Sequence, residues 1–465
     1  MLGVKLTKDS DRLGTEEILP LLIKLSVPGI IGMSTQSLYN VIDSIYIGRL
    51  SKEALSAVSL AFPVQMILIA IGAGTGVGIS SLISRLLGQG REDRASNAAG
   101  HVMLITLVYG LVFCLLGILW SDELINIFTD NSTLIAMAVE YIRVIMMGSL
   151  AIFFPMIANN ILRGAGNTFA PMVMLVIGAV LNIILDPFLI FGIGIFPKLG
   201  IQGAAVATIL SRLIGGIFIA YILFLQQNQI EFSVKKFEFD FQLIKEIYRV
   251  GLPAMAMPLS ASVMIAGVNK IIAGYSTLAI AVFGIYFRLQ SFVFLPIVGL
   301  NQGYMPIVGY NYGHKNPERM KKTIKLGLAV SSVFTTIGFI TFQLFPQELI
   351  QLFNRSPELL EMGVTALKKL TLAFPIMGPA LVASATFQAV GKGVPSLIHS
   401  VTRQVFFLFP IMYVLGEIYG LDTLWYALPI AEFIAAVGII IWMVITFRTL
   451  FTELQSTSVA TENSQ

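Results

Sequence analysis

Four polar residues near the end of the first long apolar stretch have the types and the spacing of an ion-binding face. They are Gln36, Tyr39, Asn40 and Asp43. Their intervals of three and four residues place them on one side of a helix. A carboxylate within a membrane-spanning helix costs at least about 2.5 kcal/mol on insertion scales. Asp43 therefore predicts a functional ionisable group.

A second acid lies inside an apolar run, in the sequence Asn182-Ile-Ile-Leu-Asp186-Pro187. Asn182 and Asp186 are four residues apart and share a helix face. Pro187 has no N–H for the carbonyl four residues back, which frees the carbonyl of Ile183. The next apolar stretch begins with small residues that permit close helix approach, and Thr208 adds a hydroxyl. These groups together predict a cluster of oxygen ligands.

Two chemistries fit such a cluster, and the sequence leaves both open. Burial and mutual repulsion would let one of the two carboxyl groups bind and release a proton. Alternatively, the oxygens would coordinate Na⁺, which transporter sites bind through oxygen atoms. The predicted site for H⁺ or Na⁺ consists of four residues with two supporting neighbours: Asp43, Asn182, Asp186 and Thr208, with Asn40 and Tyr39.

The elements that carry these residues are long apolar segments. The chain has 465 residues, of which 56% are hydrophobic and 12% are charged, whereas soluble proteins have about 25% charged residues. Apolar runs of about 20 residues recur, each long enough to cross a hydrocarbon layer of about 30 Å. The sequence predicts an all-α polytopic membrane protein, because a barrel would show alternating strands of about 10 residues. The N-terminus lacks the pattern of a removable signal peptide.

Twelve spanning segments are predicted, six in each half of the chain. They cover residues 18–47, 54–83, 96–119, 134–161, 169–192 and 202–226, and then 243–273, 278–308, 323–345, 359–389, 394–415 and 423–449. The predicted regions are an N-terminal segment (1–17), a six-helix lobe (18–226), a linker (227–242), a second six-helix lobe (243–450) and a polar tail (451–465).

Basic residues are concentrated on one side of the predicted membrane. If the N-terminus is cytoplasmic, the outside loops hold only Arg49, Lys52, Lys198 and Arg355, and the inside loops hold most of the others. By the positive-inside rule, both termini are predicted to be cytoplasmic. We therefore expect a multi-pass protein of the cell membrane.

The two halves are repeats of each other. Pro28 and Pro253 are 225 residues apart, and the same offset relates Glu123-Leu-Ile-Asn-Ile-Phe128 to Glu348-Leu-Ile-Gln-Leu-Phe353. Each half has an even number of spans, so both insert in the same orientation and form a parallel repeat. Such architectures place a substrate site between the halves and work by rocking.

The second half serves as an internal control for the polar cluster. The four predicted ligands have apolar counterparts there: Val268, Val405, Phe409 and Leu428. Polar residues that only join helices would contribute about 0.6 kcal/mol each, and some echo in the sister half would be expected. The asymmetry favours a specialised ion site confined to the first half.

Several further residues are candidates for a central substrate cavity, because Met and aromatic side chains suit adaptable binding of varied apolar ligands. They are Gln36, Phe62, Phe153, Phe154, Met156, Asn159, Arg288 and Glu432. Two alternatives are open for Glu432, which either attracts a cationic substrate or pairs with Arg403. Arg288 either faces the cavity or reaches the membrane surface.

Other functions lack a sequence signature. The Gly-rich run at 72–78 lies within a predicted span and indicates helix packing, not a phosphate-binding loop. ATP, other cofactors and nucleic acid are therefore not expected as partners, and no metal-ligand spacing beyond the Na⁺ candidate is present. We expect a monomer in the lipid bilayer that binds small amphipathic or cationic compounds.

Several motifs resemble hallmarks of the multidrug and toxic compound extrusion (MATE) family. They are Asn40-Val-Ile-Asp43, Gly88-Gln-Gly-Arg-Glu-Asp-Arg94, Leu162-Arg-Gly-Ala-Gly-Asn167, Asn182-Ile-Ile-Leu-Asp186-Pro187, Gln388-Ala-Val-Gly391 and the stretch from Pro296 to Gly313. The resemblance implies a V-shaped pair of six-helix lobes that exports cationic or amphipathic drugs in exchange for H⁺ or Na⁺. It places the family's cation site on Asp43, Asn182, Asp186 and Thr208.

Two departures from the family pattern refine this expectation. The residues Ile195-Phe-Pro-Lys198 lengthen the spacing between Asp186 and Thr208. Some branches carry acids in the seventh and tenth spans, but here the seventh has none and the tenth has only Glu361 at its start. The chain is thus similar to the DinF- or MepA-like branch, with coupling confined to the first lobe.

Three rival functions are weighed against a multidrug antiporter. A flippase for a lipid-linked saccharide would want a basic cavity to hold a diphosphate, and Arg288 and Arg403 are the intramembrane cations considered for that role. A membrane-embedded enzyme would need a catalytic constellation, and none is visible. A passive channel is disfavoured by the parallel repeat, which favours alternating access.

Overall fold

A computed structural model describes residues 9–226, 230–232 and 236–462 of the chain, and these ranges are helical with short connections and no strand. The bounds of the predicted linker at 227–242 lie partly outside the described residues. The first half consists of α1 (Asp9–Thr15), α2 (Ile18–Leu50), α3 (Lys52–Gly88), α4 (Glu92–Asn126), α5 (Ser132–Met147), α6 (Ser149–Gly164), α7 (Phe169–Phe191) and α8 (Ile201–Ala220).

The second half repeats this order with more interruptions. It consists of α9 (Phe241–Ala273), α10 (Thr277–Gly313), α11 (Pro317–Leu344), α12 (Pro346–Gln351), α13 (Pro357–Leu370), α14 (Phe374–Ala389), α15 (Val394–Val401), α16 (Leu408–Tyr419), α17 (Leu421–Leu424) and α18 (Ala427–Glu462). A π-helical turn, Tyr221–Leu225, extends α8, and another, Thr402–Phe407, joins α15 to α16.

The number of membrane spans agrees with the prediction once two bent helices are counted as single spans. In the described ranges, ten helical segments are long and apolar enough to cross a membrane, and two bent pairs raise the number to twelve. The pair α5 and α6 bends by 51°, and the pair α13 and α14 bends by 50°. Gly148 marks the first bend, and Pro375, which cannot donate a backbone hydrogen bond, follows the second.

The internal repeat extends to the helix boundaries. The bounds of α3 and α10 differ by 225 residues at both ends, and so do those of α6 and α14. Gly166 and Gly391, which have the same offset, both adopt a left-handed conformation, with φ of 89° and 83°. The two lobes are therefore built on one backbone plan, and their differences lie in the side chains.

The two lobes pack together near the ends of the bundle where α2 and α9 begin. There α2 crosses α10, and α3 crosses α9, through glycine. A Cβ atom on Gly303 would lie 2.7 Å from the backbone carbonyl carbon of Leu25, and one on Gly74 would lie 2.7 Å from the carbonyl oxygen of Gly251. One hydrophobic cluster, with members such as Leu25, Ile79 and Tyr304, joins the lobes at this end. Separate clusters fill the rest of each lobe.

The short helix α1 fastens the start of the chain to the second lobe. The Arg319 guanidinium donates Nη2 hydrogen bonds to the carbonyl oxygens of Glu16 at 2.7 Å and Leu13 at 3.2 Å. Asn311 Nδ2 donates to the same Leu13 oxygen at 3.0 Å. The segment before α2 is thus tied to α10 and α11 at the end where the lobes meet.

Candidate cation site and central cavity

The polar cluster predicted from the sequence is assembled from three helices of the first lobe. Asp43 lies on α2, Asn182 and Asp186 lie on α7, and Thr208 lies on α8. Asn182 Nδ2 donates hydrogen bonds to Asp186 Oδ1 at 3.3 Å and to Thr208 Oγ1 at 3.4 Å. The turn between α7 and α8 uses left-handed Gly192, with φ of 72°, to reverse the chain and bring Thr208 beside Asn182.

The two carboxyl groups meet across the contact between α2 and α7. The Asp43 and Asp186 side chains interact directly with each other. Asp186 is fully buried and Asn182 is 2% exposed, whereas Asp43 is half-buried at the edge of the cluster. The accessible carboxylate is therefore the one contributed by α2, and the helix α7 contributes the enclosed one.

Three oxygen atoms of the cluster have no partner among the described residues. Asp43 Oδ1, Asn182 Oδ1 and Asp186 Oδ2 are buried and accept no hydrogen bond there. Leaving a buried acceptor unpaired costs about 1–3 kcal/mol, and more for a charged group. Three such oxygens in one place fit a bound cation, either a proton shared by the carboxyl groups or Na⁺ held by the oxygens. The donor set contains only oxygen, as Na⁺ requires.

The two supporting residues differ in their placement. The Tyr39 hydroxyl accepts a hydrogen bond from Arg212 Nη2 at 3.1 Å and faces the cluster side of α2. Asn40 is exposed, and its backbone carbonyl accepts from Ser44 Oγ at 2.8 Å. No side-chain hydrogen bond joins Asn40 to the cluster within the part of the chain that the structure describes.

Two residues near the cluster were missed by the sequence analysis. Tyr141 of α5 is buried and interacts electrostatically with Asp43. Arg212 follows Thr208 by four residues, so the same helical spacing that grouped the other residues would have placed it on the face of Thr208. Tyr141 had no such signal, because it lies in a segment with ordinary amphipathic patterning.

A cavity of about 480 Å³ lies between the lobes and shares a wall with the cation cluster. Its lining includes the cluster residues Asn182 and Thr208 together with Tyr39. The second lobe contributes Asn301, Gln302, Met257, Met305, Ser384 and Gln388. A compound in this cavity would therefore touch side chains that also belong to the cation cluster.

The predicted cavity residues divide into two groups. Gln36, Met156 and Asn159 are part of the lining. The predicted aromatic residues are placed elsewhere. Phe153 is fully buried and packs on the rings of Tyr109 and Phe113, and Phe154 stacks on Phe224.

Three more predicted cavity residues also lie outside this lining. Phe62 is 53% exposed on α3, and Arg288 is exposed on α10. Glu432 is buried and pairs with Arg403, with Arg403 Nη1 2.8 Å from Glu432 Oε1. Of the two alternatives for Glu432, the structure therefore has the ion pair. Spacing on a helix identifies a face, but it does not say which faces of twelve helices meet at the centre.

Two six-helix lobes around a central cavity, with a buried oxygen cluster on one wall, define a secondary membrane transporter. Comparison with known proteins agrees with this class. The sequence profile of the MatE family matches residues 28–188 and 253–414, so each half of the chain is matched separately. The chain belongs to the multidrug and toxic compound extrusion (MATE) family and is a transporter, not an enzyme.

Similar proteins cover almost the whole chain. The FAD transporter of Shewanella oneidensis is 30% identical over 434 residues, which are 93% of this chain and 95% of that protein. The multidrug export protein MepA of Staphylococcus haemolyticus is 27% identical over 416 residues, 89% of this chain and 91% of that protein.

A solved structure of a MOP superfamily transporter from Pyrococcus furiosus, for which a reverse polarity of the binding pocket is described, has a TM-score of 0.89 and 30% identity. It covers 96% of this chain and 99% of that one. The two-lobe helical architecture is therefore common to this chain and to solved MATE structures.

Proposed function

We propose that this protein is a cation-coupled antiporter that exports amphipathic organic compounds across the cell membrane. The observation that carries the proposal is the set of three unpaired buried oxygens on Asp43, Asn182 and Asp186, on the wall of the central cavity. A cluster in that position links the binding of a cation to the binding of an organic compound. The names of the similar proteins, FAD transporter and multidrug export protein, favour an organic substrate.

The coupling follows from shared groups. Asn182 and Thr208 hydrogen-bond within the cluster and also line the cavity. A cation that neutralises Asp43 and Asp186 removes the repulsion between α2 and α7 and lets the two helices approach. A substrate that contacts Asn182 or Thr208 favours a different arrangement of the same groups. Each ligand then lowers the affinity for the other, as antiport requires.

The packing of the lobes supports alternating access. The glycine-mediated crossings lie at the end of the bundle where α2 and α9 begin, and the positive-inside bias assigns that end, with both termini, to the cytoplasm. The structure then corresponds to a state closed toward the cytoplasm. Rocking of the lobes about the cavity would open this end and close the other.

The experiment that tests the proposal is substrate export from vesicles driven by an imposed ion gradient. Wild type, Asp43→Asn and the exposed-loop control Asp130→Asn are compared with a H⁺ gradient alone and a Na⁺ gradient alone. We expect one of the gradients to drive export by wild type and Asp130→Asn, and Asp43→Asn to fold but lose the gradient-driven component. Equal export by Asp43→Asn and wild type would contradict the proposal.

A further inference from the structure

The wall of the central cavity carries positive charge. Among the described residues that line it, the charged ones are Arg163 of α6 and Arg212 of α8, and none is Asp or Glu. The cavity was expected to attract cations, partly through Glu432, but that carboxylate is paired with Arg403 outside the lining. The charge of the lining therefore has the opposite sign to the one that a cationic substrate would favour.

Arg163 has no acidic partner. No Asp or Glu side chain lies within ion-pair distance of it in the described ranges, and its Nε is buried without a hydrogen-bond partner. Its counterpart in the second lobe, at the offset of 225 residues, is Gln388, which lines the same cavity. Two corresponding positions thus face one space, and only one of them adds a charge.

Arg212 is likewise without a carboxylate partner among the described residues. Its Nη2 donates to the neutral hydroxyl of Tyr39. Aligning Gly200 with Gly420 makes Glu432 the counterpart of Arg212 in the second lobe. Glu432 is neutralised by Arg403, whereas the positive charge of Arg212 is left to the cavity. The first lobe therefore leaves two guanidinium groups uncompensated where the second lobe balances its charge.

Uncompensated guanidinium groups in a partly enclosed site favour an anionic ligand. Removing a charge from water is costly unless an opposite charge and hydrogen bonds replace the water. The planar fork of arginine matches phosphate and carboxylate groups and binds them through paired hydrogen bonds. The remaining lining suits an apolar body, since it includes five flexible methionines: Met33, Met156, Met174, Met257 and Met305.

We propose that the central cavity binds an amphipathic organic anion, whose phosphate or carboxylate group is recognised by Arg163 and Arg212 and whose apolar body lies against the methionines. This inference rests on the proposed function, because it takes the cavity to be the transport site. The cavity volume of about 480 Å³ suits a compound with one or two ring systems, since pockets for such ligands span about 300–1,000 Å³.

Binding of three probes that share one ring and differ in charge tests the inference. The full-length protein in lipid nanodiscs is titrated with 1-naphthyl phosphate, neutral 1-naphthol and 1-naphthylmethylammonium, with the ring fluorescence as readout. We expect the phosphate to bind at least about tenfold more tightly than the ammonium compound, as opposite signs of charge at an arginine pair require. Tighter binding of the ammonium compound would overturn the inference.

Variants assign the effect to the two arginines. Arg163→Gln introduces the residue found at the sister position, and Arg212→Gln retains a hydrogen-bond donor for Tyr39. Each is expected to weaken 1-naphthyl phosphate about tenfold and to leave 1-naphthol unchanged, while the exposed-loop control Arg355→Gln changes neither. A folded double variant that keeps wild-type affinity for the phosphate would show that the arginines do not recognise it.

Two further comparisons separate the possible outcomes. Displacement by phenyl phosphate indicates a free organic anion, displacement by farnesyl phosphate indicates a lipid-linked one, and displacement by neither overturns the inference. If the phosphate fails to bind but Asp43-dependent export of an organic cation persists, the anion inference fails and the antiporter proposal stands. If the phosphate binds but no ion gradient drives export, the antiporter proposal fails alone.

Discussion

Arg212 and Glu432 occupy corresponding positions in the two lobes, and their surroundings balance charge in different ways. Glu432 is 5% exposed and receives two hydrogen bonds from Arg403, at 2.8 and 3.1 Å. Such a buried pair contributes little net stability, because desolvation of both charges offsets their attraction. Its removal in halves is another matter, since one buried charge would then lack a partner.

The Arg403–Glu432 pair is therefore predicted to be structural. Arg403→Met leaves the carboxylate of Glu432 buried and alone, so we expect a loss of about 3–5 kcal/mol and a lower melting temperature in detergent. The double variant Arg403→Met with Glu432→Leu removes both charges and should recover most of that stability. The double variant should also retain gradient-driven export. A double variant less stable than Arg403→Met would contradict this interpretation.

Residues of the cation cluster were accessible to sequence reasoning because charge inside an apolar run is costly and therefore conspicuous. Asp43, Asn182, Asp186 and Thr208 were grouped by spacing and by their apolar counterparts in the second half, and the structure brings them together. Arg212 and Arg163 were overlooked, although they line the cavity. Arg163 was assigned to a loop because of its position near the end of a span, and the depth of a helix end is set by its neighbours.

At the scale of elements, the interruptions are as regular as the helices. The bends between α5 and α6 and between α13 and α14 occupy corresponding positions, at 51° and 50°. The sequence analysis predicted single spans at 134–161 and 359–389, since one glycine in a long apolar run does not by itself indicate a break. Conversely, the start of α7 at Phe169 and of α15 at Val394 follows the repeat offset.

The hydrogen bonds that hold α1 predict a measurable effect of Arg319. Arg319→Ala removes two charge-assisted bonds to the carbonyls of Leu13 and Glu16, each worth about 1.5–3 kcal/mol. We expect backbone amides 11–16 to exchange with deuterium at least about tenfold faster. Lys322→Ala, at an exposed position of the same helix, serves as the control. Unchanged exchange in Arg319→Ala would show that α1 is held by apolar contacts instead.

At the scale of the whole molecule, the lobes meet through positions where side chains would not fit. A Cβ on Gly303 would lie 2.7 Å from the backbone of Leu25, and one on Gly299 would lie 2.7 Å from the Ile30 backbone. Gly284, on the same helix α10, has no atom within 4 Å of such a Cβ. Close approach of the lobes therefore depends on glycine at this end and not along the whole of α10.

Gly303→Val is predicted to open the end where the lobes meet. The added side chain cannot be accommodated against Leu25, so α2 and α10 must separate or the closed state must lose population. Spin labels at Asp93 and Lys321, both exposed, in a background with Cys114→Ala, report the distance between the lobes. We expect a wider distribution in Gly303→Val and no change in the control Gly284→Val. Identical distributions for both would refute this role of Gly303.

The overall architecture followed from the sequence to a large extent, because repeat offset, apolar length and charge bias constrain it strongly. Twelve spans in two lobes agree with the helices and with the solved MATE structures. The charge of the cavity did not follow. It depends on which helix faces converge between the lobes, and Phe153 and Glu432, expected in the cavity, are instead packed inside their own lobes.

The central claim is that one buried oxygen cluster couples cation binding to substrate binding. The most direct measurement is the release of H⁺ or Na⁺ when substrate is added to the purified protein, with pH-sensitive dye and Na⁺ electrode as readouts. We predict release of about one cation per bound substrate by wild type, and none by Asp43→Asn despite retained substrate binding. Substrate binding by wild type without release of either cation would contradict the account.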